Sequence, residues 1–132
     1  MTAEILERFE LIEECYEFML AYAAQGLASD KGSESGRQIR EFLNRAVNAL
    51  VALPEHCAAA MGEGPLSFLA VLERDASDSL DAMELVLAQP AISSQLIDNL
   101  NASLHLRALL TDVFLLGEVL RAQQLAAKSA TS

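Results

Sequence analysis

Apolar residues recur along most of this chain at spacings of three and four, the period of one helical face, and nowhere in sustained alternation. In the first segment Ile5, Phe9, Ile12, Tyr16, Met19 and Ala23 follow that rule. A second stripe of Leu11, Cys15, Phe18 and Tyr22 lies beside it, so the buried arc is wide enough to touch two neighbours. Glu7, Glu10, Glu13, Glu14 and Glu17 share the remaining face. Thr2 is the expected cap and Gly26 the expected stop. A small, polar, Gly-bearing stretch at 29–36 reads as a mobile loop.

The second helix is expected to begin at Ser35, which forms a capping-box pattern with Gln38. Ile39, Phe42, Leu43, Ala46, Val47, Leu50 and Leu53 then follow at spacings of 3, 1, 3, 1, 3 and 3. Pro54 has no amide hydrogen to donate and disfavours helix at Leu53. Residues 55–61 are therefore a short kinked extension or a separate turn, stopping at Gly62. After the link at 62–65, Leu69, Leu72, Ala76, Leu80, Met83 and Leu87 repeat at 3, 4, 4, 3 and 4, and Pro90 closes this third helix. Ser93 or Ser94 caps a fourth, expected to run unbroken to about Ala127.

Four helices, short links and no strand signal predict an all-α fold, an antiparallel four-helix bundle connected up-down-up-down. Residues 1–128 form one domain in this reading, and 129–132 a frayed tail. A length of 132 residues suits one continuous core.

Composition narrows the function classes. Apolar residues make up 52% and aromatics only 5%, a bias toward helix. Nineteen acidic against nine basic residues give a formal net charge of −10, which repels nucleic-acid phosphates and anionic lipid. Neither nucleic acid nor membrane is an expected partner. The acidic N-terminal stretch lacks the features of a secretory signal, and the expectation is a cytoplasmic protein with two free thiols, Cys15 and Cys57.

The candidate chemistry is thin. The patterns GxSxG, GxxxxGK[ST] and GxGxxG are all missing from the sequence, and no catalytic residue or cofactor is assigned. A di-iron carboxylate bundle needs two Glu-x-x-His pairs, but the residues three before His56 and His105 are Leu53 and Ala102. Cys15, His56 and Cys57 are soft ligands that suggest a metal or redox role as an alternative. Against it, adjacent residues on a helix diverge by about 100° and no CxxC or HxxxH spacing occurs. The helix-one glutamates read as a solvated face, because one convex face does not converge oxygens on a cation.

On the fourth helix, Asp98, Asn101, His105 and Asp112 form a polar line. A reactive His on an acidic helical chain of this length resembles histidine phosphotransfer domains, which implies His105 as an alternative phosphoacceptor. The chain departs from that family after the His: the family's Lys and Gly positions are Ala108 and Leu109 here, and Arg107 stands one place early. A His partly buried against Asn101 or a neighbouring helix is the simpler expectation.

One feature exceeds what a folded helix needs. Leu106, Leu109, Leu110, Val113, Leu116 and Leu120 occupy one face of the fourth helix, while Ile97, Leu104, Ala108 and Leu115 lie on another. Polar lines separate the two, one of them Arg107, Thr111 and Glu118. The second strip must be covered by another bundle helix or by another chain. With Leu104, Ala108 and Leu115 as candidate interface residues, the expected function is that of a non-enzymatic accessory or regulatory protein. It would bind another protein and form a homodimer.

Overall fold

The computed structural model describes residues 2–61 and 67–131, which form six helices and no strand. These are α1 (Thr2–Ala24), α2 (Glu34–Leu50), α3 (Leu53–Met61), α4 (Ser67–Leu87), α5 (Ser94–Ala102) and α6 (Leu104–Thr131). The all-helical expectation holds, but the count of four does not. The stop expected at Gly62 and the link at 62–65 lie outside the described residues.

Two local causes account for the extra helices. After α2, Val51 is extended and Ala52 takes a left-handed conformation at φ 58°, which turns the chain and lets it restart. Pro54 is then the second residue of α3, where its missing amide hydrogen costs nothing. It starts a helix instead of kinking one. The second break is at Ser103, which is extended at ψ 143° and ends α5. Its hydroxyl accepts from the Leu106 amide at 3.3 Å, and its carbonyl accepts from the Arg107 amide, so the same residue caps α6. The expected single rod from Ser94 to Ala127 is thus two helices. Helix α6 also continues to Thr131, past the boundary expected at 128.

Capping sets the other starts. Ser33, not Ser35, caps α2, its hydroxyl accepting from the Gly36 amide at 2.9 Å. Ser93 caps α5 through the Leu96 amide. Its neighbour Ser94 is free for another task, donating to the carbonyl of Tyr22 at 2.6 Å and accepting from the Leu27 amide at 2.8 Å.

Helix α1 is central: α2, α3, α5 and α6 all pack against it, while α4 packs against α2, α3, α5 and α6. Its buried row is Ile5, Phe9, Ile12, Cys15, Met19 and Tyr22. Cys15 and Tyr22 belong to the core, whereas Tyr16 and Ala23 sit at its margin. Phe18 stacks on Phe42 of α2 with ring centroids 4.6 Å apart. Arg8 donates to the carbonyls of Ala49 and Val51 at 3.0 and 3.2 Å, placing a cation where the end of α2 leaves acceptors unpaired.

The 29–36 segment, expected to be mobile, is pinned. Asp30 is buried, accepts from Arg40 Nε at 2.6 Å and from the Ile92 amide at 2.6 Å. Arg40 donates onward to the carbonyls of Leu87 and Gln89. Tyr22 completes the clasp, its hydroxyl donating to the Ile92 carbonyl at 2.7 Å. The Arg40 guanidinium holds the Asp30 carboxyl below its usual range.

Candidate functional site

The break at Ser103 fixes which residues of the last segment share a surface. At about 100° per residue, Leu106, Leu109, Leu110, Val113, Leu116 and Leu120 span one arc of α6, and all six are buried. Leu104, Ala108, Thr111, Leu115, Val119 and Ala122 span a second, narrower arc roughly opposite. Leu104 is 79% exposed, Leu115 54% and Val119 44%. Ala108 is half-buried, and Thr111 and Ala122 are exposed. Phe114 and Leu125, half or more exposed, stand on the rim beside Arg107 and Glu118.

Leu104, Ala108 and Leu115 share one side of α6, where the described residues leave the two leucines more than half exposed and Ala108 half-buried. Ile97 does not join them: it is fully buried on α5, because the chain changes direction at Ser103 and the angular register assumed for one continuous rod no longer applies. Val119, four residues after Leu115, extends the strip by a spacing legible in the sequence, while Phe114 and Leu125 widen the apolar surface from its rim, about 80 to 100° away, where the spacing gives no signal.

The polar line of the sequence is also broken at Ser103. Asp98 is exposed and Asn101 is buried, while His105 is exposed on the first turn of α6. The His105 ring does not meet Asn101: its Nδ1 lies 3.8 Å from the Asp78 carboxylate of α4. A phosphoryl group on His105 would add negative charge beside that carboxylate. Leu109, at the position of that family's Gly, is buried in the core.

Asp112 is buried beside Asp75 of α4, and its Oδ2 has no hydrogen-bond partner among the described residues. Burial, and then the neighbouring Asp75 carboxylate, push the Asp112 carboxyl up to about 7. Both side-chain polar atoms of Asn101 are likewise buried without a partner.

The thiols are structural in placement. Cys15 is buried and contacts the sulfur of Met19, and burial pushes its thiol up to about 12. Cys57 is buried on α3 with its thiol pushed up to about 11 for the same reason. Both sit far from the range in which a thiol is a ready nucleophile. Among the described residues no three His, Cys, Asp or Glu side chains converge as a metal site would require.

A depression of about 460 Å³ lies between α1 and α2, lined by residues that include Arg8, Arg45, Glu4 and Glu7. Its cations are engaged elsewhere, Arg8 on the end of α2 and Arg45 over the Phe42 ring at 5.3 Å. Among the described residues no helix is long and apolar enough to cross a membrane. In comparisons with known proteins, no family model, no curated protein and no solved structure matches this chain.

Proposed function

We propose that this is a non-enzymatic accessory or regulatory protein of the cytoplasm that works by binding another protein, and that it self-associates as a homodimer through α6. The observation that carries this reading is the strip of Leu104, Ala108 and Leu115, its two leucines more than half exposed, opposite the buried face of the same helix. A helix at the edge of a domain needs one apolar face; a second is useful only where something covers it. Each leucine buried there contributes roughly 1.5 to 3 kcal/mol. In the same reading α1, α2, α4 and α6 are the four rods of an up-down-up-down bundle, with α3 and α5 as short inserts. The formal charge of −10 favours a protein partner over nucleic acid or anionic lipid.

Light scattering over a range of concentrations, paired with circular dichroism, tests the proposal. The wild-type chain is expected to dimerise, and Leu115→Lys to give a monomer of unchanged helicity. The half-exposed position of Leu115 leaves room for lysine in the single chain, while an interface would have to desolvate its charge. A wild-type chain that stays monomeric at every concentration overturns self-association.

A further inference from the structure

We infer that the partner seated on the α6 strip is a second copy whose α6 runs antiparallel to the first, about a two-fold axis level with Val113, so that Arg107 of each copy faces the partner's Glu118. This inference rests on the proposed homodimer and adds its geometry.

Two independent features share one midpoint. The first is charge. Arg107 and Glu118 are both exposed and stand on one rim of the strip, differing by only about 20° in angle but by about 16 Å along the axis. That separation prevents them from pairing within a chain, and among the described residues neither makes an ion pair. In an antiparallel two-fold pair, a rim meets the same rim of its partner with the chain direction reversed. The Arg107 end then comes opposite the Glu118 end twice, provided the axis lies midway between them, at residues 112 and 113. A closed two-fold arrangement satisfies both charges on both copies with no new residue.

The second feature is side-chain size. Reversed about residue 113, the strip maps onto itself: Leu104 meets the partner's Ala122, Ala108 comes beside the partner's Val119, and Thr111 meets the partner's Leu115. Bulkier side chains face smaller ones at the two outer levels, as interdigitation requires. A parallel pair in register would set Leu104 on Leu104 and Ala108 on Ala108, alternating crowded layers with gaps. It would also leave Arg107 level with Arg107. Charge and size thus select the same direction and the same register, although nothing in the folding of the single chain requires them to agree.

The experiment is a distance measurement on the full chain with a single spin label at Gln123→Cys, an exposed position beside the strip. The native Cys15 and Cys57 are buried, and failure of the wild-type chain to take up label checks that only the new thiol reacts. In the antiparallel pair the two labels lie about 30 Å apart along the axis; in a parallel pair they lie about one helix diameter apart. Charge exchange is the second arm. Arg107→Glu and Glu118→Arg are each expected to weaken dimerisation about five- to tenfold at low salt, and the double exchange to restore it. A dimer with a short label distance, or a double exchange weaker than either single variant, overturns the antiparallel register and leaves the homodimer standing. A wild-type monomer, or a dimer that survives Leu115→Lys, overturns the reading beneath it.

Discussion

The carbonyl oxygen of Asp30 occupies the space that a side chain on residue 36 would need: a Cβ built on Gly36 would stand 1.7 Å from it. The contact is backbone against helix start, so a rotamer change cannot relieve it. It exists because the Asp30 carboxylate is held by Arg40 and by the Ile92 amide, which draws the loop onto the first turn of α2. Gly36→Ala is expected to destabilise the domain by at least about 2 kcal/mol, as overpacking against an immovable neighbour does. Chemical denaturation checks this, and a loss below about 0.5 kcal/mol would show the loop to be as mobile as its composition suggests.

Asp112 sets a pH dependence of definite sign. Its carboxyl is raised from 3.8 to about 7 in the folded chain, so between those values the folded state holds a proton that the unfolded state has released. Stability from this group therefore falls as pH rises from about 4 to about 7 and levels off above. Asp112→Asn removes the charge while keeping the shape. It is expected to flatten the profile and to stabilise the chain by about 1 to 2 kcal/mol at pH 8. Asp30, lowered by Arg40, acts in a separate window: its contribution is present above the ordinary carboxylate range and is lost as pH falls through its folded value. Thermal unfolding at pH 5 and pH 8, both above the Asp30 window, for wild type and Asp112→Asn isolates the Asp112 contribution.

Ala52 holds a left-handed backbone at φ 58° without being glycine. A Cβ in that conformation costs about 1 to 2 kcal/mol, part of which glycine forfeits again through the freedom of its unfolded chain. Ala52→Gly is expected to raise stability by about 0.5 to 1 kcal/mol. The midpoint of urea unfolding should move up with no change in slope.

Ser103 is the hinge between α5 and α6. Ser103→Ala removes the hydroxyl that accepts from the Leu106 amide and is expected to cost about 1 kcal/mol. Because Leu104 follows the cap directly, the same change should loosen the start of the exposed strip. Hydrogen exchange read at residues 104–107 should rise several-fold more than exchange in the middle of α6.

Local periodicity was enough to read the helical class, the two apolar faces of α6 and part of each buried row, because a helix repeats its environment every three or four residues. On α4 it found Leu72, Ala76 and Met83 but also Leu69, Leu80 and Leu87, which are only partly buried, and it missed Ser79 and Val86. Ser93 as a cap and Pro90 as an end were legible for the same reason: each acts on its own few neighbours. What tertiary structure alone decided involves partners far apart in the chain. Asp30 reads as a loop residue until Ile92, 62 positions away, donates to it. Asp112 reads as one member of a polar line until α4 brings Asp75 beside it. The division at Ser103 belongs to this class as well. A serine inside a helical pattern is compatible with either a continuous rod or a break. Here the break lets α5 bury Ile97 against the core while α6 turns Leu104 to the surface. Sequence spacing thus placed apolar residues on two faces, and packing determined which face was left uncovered.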